Sequence, residues 1–355
     1  VTVIDHGYTV RTVRTRWFSA RYGVRVARVS AVLLGLSILI SFLAITLGDY
    51  PILLSDLWAT VTGGGDEFHR MIVFEWRMPI ALAAVLFGAL LGIGGAIFQS
   101  LTRNPLGSPD IIGFDAGSYT AVVLTMLLLG VGDYWRVAAA AIIGGLVTAF
   151  AVYLLAYRQG VQGFRLIIVG IAVSAVLGSV NSYLITRADI DDAMAVGFWG
   201  AGSISRVSWS SMAPSVLIAA LIFTAAALLA PALKRLELGE DAAVTLGTRP
   251  TPLRLALMIT GVATTALVTA AAGPIGFIAL AAPQLARRIA RAPGVSLLAS
   301  AAMGAFLLVG AHLLSLVIAQ VYRPVPVGLI TVCVGGTYLI WLLIRETRRR
   351  DGGAR

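Results

Sequence analysis

Long runs without a charge constrain this chain more than any other feature. Ser210–Pro231 and Leu255–Ala272 contain no Asp, Glu, Lys or Arg, and similar runs recur between Val29 and Ile344. A helix of about 20 apolar residues crosses a hydrocarbon core of roughly 30 Å. Inside lipid every backbone N–H and C=O must bond within the protein, so only helices and closed barrels span. These runs are continuously apolar and do not alternate in short strands, which argues against a barrel. The composition agrees: 58% of the residues are apolar and 12% charged, far from a soluble domain.

Ten spans result: Val29–Leu47, Ile80–Gln99, Ile111–Leu129, Val137–Tyr157, Leu166–Thr186, Ser210–Pro231, Leu255–Ala272, Pro274–Ala286, Ser296–Tyr322 and Val325–Ile344. The eighth is short, and Gly and Pro interrupt it. The fold class is therefore all-α, a polytopic transmembrane bundle of about ten helices. It forms one domain over residues 29–344, flanked by basic tails at 1–28 and 345–355. An even number of spans puts both termini on one side. With the termini inside, 21 of the 27 basic residues fall on the inner side and nine of the 17 acids on the outer. That is the positive-inside bias, and shifting the count by one span destroys it. Both termini and the polar break at 232–254 are thus expected in the cytoplasm. The same bias explains the basic balance without nucleic acid.

The N-terminal tail carries six Arg and is expected either as a basic surface helix on anionic lipid or as a solvated, disordered tail. Its length, and the span-length apolar run after it, read as a retained first helix and not as a cleaved signal. Leu53–Val61 has the pattern of a short interfacial helix. Residues 187–209 read as a large outer loop, with Asp189, Asp191 and Asp192 solvated and Phe198, Trp199 and Trp209 at a membrane interface.

Gly88, Gly92 and Gly95 share one helix face, where small residues let backbones approach. Asn181 and Gln284, the latter beside Pro283, lie deep in apolar helices and must face protein or a water-filled cavity. Gln99, Asn104 and Pro105 close the second span, and Gln99–Gly107 is echoed weakly by Gln284–Gly294. These six polar or Pro positions are the candidates for a path or gate. No span holds an acid near its centre, which argues against a proton-coupled carrier. One cysteine, Cys333, allows no internal disulfide, and the three dispersed His make no metal cluster. No phosphate-binding G-x-x-x-x-G-K-[S/T] loop and no catalytic constellation is present, so the chain reads as neither an ATPase of that kind nor an enzyme.

The polar break Lys234–Arg254 separates two charge-free spans. It holds three acids, four bases, and Gly239 and Gly247 at a spacing of eight. Leu238–Leu246 is long enough for a short surface helix, a natural contact for a soluble partner.

The run Arg77–Gly117 resembles the hallmark of the iron-siderophore and vitamin B12 importer permeases of ABC systems. Arg77, Pro79, Gln99, Arg103-Asn104-Pro105-Leu106, Pro109, Gly113 and Gly117 carry the match. Further similar segments follow in order: Trp199–Ser203, Leu238–Gly247 (L-G-E-x-A-x-x-L-G), Gly273–Arg287 and Pro326–Gly335. The resemblance implies a ten-helix permease working as a pair in a bacterial plasma (inner) membrane. It further implies two cytoplasmic ATPases holding ATP and Mg, an extracytoplasmic solute-binding protein, and no cofactor or metal in this chain. Gly239, Glu240, Ala243, Leu246 and Gly247 then couple to the ATPase. Arg77, with Arg206 or Arg323 as secondary candidates, then meets the binding protein. Ferric siderophore ranks first as cargo, before haem and other iron chelates, then cobalamin. The chain departs from the family pattern at Ile80, Ala279 and Gln284, and has Arg323-Pro324 near a position where relatives carry Glu. These departures favour a heterodimer with a second, different permease subunit, while a homodimer stays open. A secondary transporter or a membrane structural subunit is the less favoured alternative.

Overall fold

The computed structural model describes residues 9–14, 19–130, 134–156 and 163–352. The chain opens with an antiparallel hairpin, β1 (Val10–Arg14) and β2 (Ser19–Gly23), and then runs through α1 (Val24–Thr46), α2 (Leu54–Val61) and α3 (Glu67–Arg70). A π-helical stretch, Met71–Arg77, leads into α4 (Met78–Thr102). Next come α5 (Phe114–Leu129), α6 (Tyr134–Ala156), α7 (Gly163–Arg187), α8 (Ile190–Gly200) and α9 (Trp209–Glu237). The chain ends with α10 (Glu240–Thr245), α11 (Pro250–Ala272), α12 (Ile278–Ala290), α13 (Leu297–Ala319) and α14 (Val327–Gly352). Each of the ten expected spans corresponds to a helix. Among the described residues, seven helices are long and apolar enough to cross a membrane, and α5 and the first part of α14 are shorter apolar helices. α12 has 13 residues and follows an unwound stretch at 273–277.

α4 is the central stave. It packs on α13, α11, α12, α9 and α1. Its glycines explain how so many helices reach it. A side chain at Gly88 would strike the backbone of Gly304, one at Gly92 the backbone of Ser300, and one at Gly95 the backbone of Ala279. Water gives no driving force between helices in lipid, so this close backbone approach supplies the packing. Phe87, Leu90, Leu91, Ile97 and Phe98 fill the space around it and are fully buried.

Five features differ from the sequence expectations. The N-terminal tail pairs as a hairpin with Val10 opposite Gly23 and Thr12 opposite Arg21, and is neither a surface helix nor wholly irregular. Arg16, Arg158 and Arg355 lie outside the described residues. The stretch before the second span is helical from Glu67 onward, so that this helix reaches 36 residues. Pro79 has no N–H to give to the carbonyl four residues back, and the turn before it widens, with the Met78 N–H bonding the Val73 carbonyl. The outer loop at 187–209 contains α8, whose first turn holds Asp191 and Asp192, where a helix N-terminus favours negative charge. The sixth span continues through Pro231 to Glu237, so the polar break begins inside a helix. At the other end of the sequence, α14 runs on to Gly352, and the basic tail is in large part its last turns.

Candidate coupling site and polar interior

The polar break folds as a short helix held between two left-handed glycines. Gly239 has φ +118° and Gly247 φ +76°, conformations that only glycine adopts without strain. At the C-terminal end the Thr248 N–H bonds the Ala243 carbonyl and the Gly247 N–H the Val244 carbonyl. This pair of bonds satisfies the last carbonyls and stops the helix sharply. Ala243 is fully buried and seats α10 on the cluster formed by Leu233, Leu236, Leu253 and Leu257. The Arg254 guanidinium meets the Glu240 carboxylate at 3.0 Å, tying the start of α10 to the first turn of α11. Leu238, Val244 and Leu246 point outward, each more than half exposed. The result is a short helix anchored on one side through Ala243, with Leu238, Val244 and Leu246 exposed beside Glu240 and Asp241.

Behind α10 stands a polar interior built from the two echoing segments. Gln99 and Gln284 are both buried. The Gln99 amide donates to the Leu280 carbonyl of α12 at 2.9 Å, and the Gln284 amide donates to the Pro105 carbonyl at 2.6 Å. Gln99 thus reaches α12 one turn before Gln284, and Gln284 reaches back into the Gln99–Gly107 segment. Asn104 accepts from the Leu106 N–H at 2.9 Å and shapes the turn that presents Pro105. Pro283 lies buried within α12. Five of the six path candidates therefore meet where the turn after α4 packs on α12. Asn181 does not. It sits on α7, eleven residues or about 16 Å beyond Gly170, which abuts Ile112 of that turn. It is buried, and its Oδ1 has no hydrogen-bond partner among the described residues.

The structure also gives contacts to residues outside the path, coupling and docking candidates. Asp110 accepts from the Phe277 N–H at 3.0 Å, and Phe277 is a left-handed non-glycine residue at φ +67°. Such a conformation persists only where its surroundings hold it. Asp115 is buried in the first turn of α5 beside Thr265. Ser100 donates to Glu237 at 2.7 Å and Arg103 to the Leu236 carbonyl at 3.4 Å. These two bonds join the end of α4 to the end of α9, one turn before α10. Asp110 lies inside the Pro109–Gly113 turn and Asp115 two residues after it, and this pair of carboxylates at the start of an apolar span was the sequence signal for both. Nothing in the sequence pointed to Ser100 and Glu237, which lie 137 residues apart.

The three arginines expected to meet a binding protein lie at the opposite end. Arg206 and Arg323 are exposed, on segments joined by the Gly328 N–H to the Gly202 carbonyl at 2.9 Å. Arg77 differs. Its guanidinium donates to the Ile45 carbonyl at 2.7 Å and the Tyr50 carbonyl at 2.6 Å, clamping the connection from α1 to α2. At this same end three separated segments converge. The Ser203 N–H bonds the Ala272 carbonyl at 2.7 Å, and Gly202, Gly273 and Gly328 each abut backbone that a side chain would strike. Trp199 stacks on Tyr119 beside them, with ring centroids 5.7 Å apart.

Comparison with known proteins matches this arrangement to a family of transport permeases. Residues 33–345 match the FecCD transport family. The ferric enterobactin transport system permease protein FepG of Escherichia coli (strain K12) is 45% identical over 296 residues, covering 83% of this chain and 89% of that protein. The siderophore transport system permease YfhA of Bacillus subtilis (strain 168) is 33% identical over 340 residues, covering 92% and 98%. A solved metal-chelate type ABC transporter shares the fold with a TM-score of 0.76 at 23% identity, over 90% of this chain and 99% of that one. The chain belongs to the FecCD transport family of membrane permeases.

Proposed function

We propose that this chain is the permease subunit of an ATP-driven importer of iron chelates, with ferric siderophore as the first cargo to test. The observation that carries the reading is α10, a short helix seated through Ala243 and offering Leu238, Val244 and Leu246 to a partner. A cytoplasmic ATPase dimer docks there and cycles ATP with Mg. Displacement of α10 passes to the ends of α9 and α4 through Glu237–Ser100 and Arg103–Leu236. From α4 it passes to the turn at 104–110 and to α12 through Gln99 and Gln284. These residues form a connected set, and rocking it opens the interior to alternate sides.

Both termini and α10 lie in the cytoplasm of a bacterial plasma membrane, as the charge bias indicates. The opposite end receives a solute-binding protein at Arg206 and Arg323, with Arg77 holding that surface in shape. A second permease subunit packs against α7 and α14. α7 exposes Gly178, Ser179 and Ser182, small and polar groups that suit a protein neighbour better than lipid. A different partner chain is favoured over a second copy. The names of the similar permeases make ferric enterobactin the first chelate to assay. The test is uptake of radiolabelled ferric siderophore into vesicles containing this chain, its ATPases and its binding protein. Uptake that requires ATP and is lost on Glu240→Ala, with the complex still assembled, supports the reading. Uptake that persists without ATP overturns it.

A further inference from the structure

A cleft of about 1500 Å³ lies between α1 and α9. α1 packs on α4, α12 and α13, whereas α9 packs on α4, α10 and α11, and the cleft is the gap left between them. Its wall on α4 and α9 is apolar, with Ala89 and Ile93 on α4 and Phe223, Ala226, Ala227 and Ala230 on α9, and the N-terminal hairpin and the segment 290–298 close its other sides. Its rim is basic at one end only. Arg25 and Arg28 near the start of α1, Lys234 near the end of α9 and Arg291 at the end of α12 all border it, and all four are exposed. Glu237, the one acid among the residues lining the cleft, already accepts the Ser100 hydroxyl.

We propose that this cleft binds an anionic phospholipid, with the headgroup phosphate at Arg25, Arg28, Lys234 and Arg291 and an acyl chain along the alanine wall. Three observations carry this. The volume exceeds the roughly 300–1,000 Å³ of a small-molecule pocket, and the cleft lies between two helices, α1 and α9, that pack on different partners. The wall offers an acyl chain contact but gives a soluble anion nothing to bond. The cations cluster at the end that also carries α10, where the charge bias places the anionic leaflet. Arg25 is held in place by donating to the Ile289 carbonyl at 3.1 Å and 3.3 Å, and the guanidinium keeps further N–H groups for a phosphate. A lipid so placed would brace α1 against the end of α9, one turn before α10.

Native mass spectrometry of the full chain, purified in detergent and mixed with defined lipids, tests this. Phosphatidylglycerol is expected to stay bound where phosphatidylcholine is stripped. The triple substitution Arg28→Gln, Lys234→Gln, Arg291→Gln leaves the Arg25 clamp intact and is expected to weaken retention on the order of a hundredfold, at about a factor of five per cation. Ala230→Phe, which fills the wall without touching a charge, is expected to displace the lipid as well. Equal retention of the two lipids overturns the proposal, as does retention indifferent to the triple substitution. Inorganic phosphate competing as well as phosphatidylglycerol would reassign the rim to a soluble anion and overturn it too.

Discussion

α4 and α7 have the same length, 25 residues, and their middles are equally free of charge, yet they live in different surroundings. In its most apolar window the helix containing α4 is 72% buried, whereas α7 is 11% buried. Both carry glycines among branched aliphatics, although α7 has fewer alanines and adds Ser174, Ser179, Asn181 and Ser182. The difference lies in how far along each helix the glycines meet a neighbour. Gly88, Gly92 and Gly95 of α4 each abut a neighbouring backbone, whereas on α7 Gly163 and Gly170 abut Thr102 and Ile112 but Gly178, farther along, meets nothing among the described residues. One helix is a finished interior stave. The other presents an uncovered face with a buried asparagine next to it. A small-residue stripe therefore marks where a helix must be approached closely, and the approaching helix belongs either to this chain or to another.

That contrast can be broken most forcefully at Gly95. Gly95→Leu drives a side chain into the Ala279 backbone, and no folded chain is expected in detergent by size-exclusion chromatography. The matching change in α7, Gly178→Leu, is expected to leave the single chain folded and to weaken its pairing with a second permease subunit. Loss of the monodisperse monomer with Gly178→Leu would erase the distinction between the helices. Gln284→Ala comes next. It removes the donor to the Pro105 carbonyl, which water can reach because Pro105 is exposed, and is expected to cost about 0.5–1.5 kcal/mol, read as a lowered thermal midpoint. Arg77→Ala is expected to cost a similar amount by freeing the Ile45 and Tyr50 carbonyls, and to loosen the α1–α2 connection to protease. Glu240→Ala removes a surface ion pair and is expected to shift stability by only about 0–1 kcal/mol while abolishing uptake. The smallest effect is expected at Gly178→Ala, where the added methyl meets open space and stability stays unchanged or rises by up to about 1 kcal/mol.

The spans were legible because lipid permits few alternatives to an uncharged helix. The short helix in the polar break was legible for a related reason: Gly239 and Gly247 stand where a left-handed turn must start and stop it. Contacts between distant segments were not legible. The echo between the Gln99 and Gln284 segments was visible, but their bonds depend on how α4 and α12 cross. Arg77 looked like a free surface cation, and only the fold reveals the two carbonyls it holds, 27 and 32 residues back. α8 was passed over because three acids suggested solvent, although Asp189, Asp191 and Asp192 are what a helix N-terminus attracts. The N-terminal hairpin was hidden by its arginines, whose spacing suits a strand as well as a helix.

The central claim is that α10 transmits the work of a cytoplasmic ATPase. It is tested most directly by Leu246→Cys in a chain whose own cysteine is removed by Cys333→Ser. Oxidative cross-linking in assembled membranes is expected to join that position to the ATPase, to halt ATP-driven uptake, and to release it on reduction. Labelling of the same cysteine by a membrane-impermeant thiol reagent added outside intact cells would contradict the account.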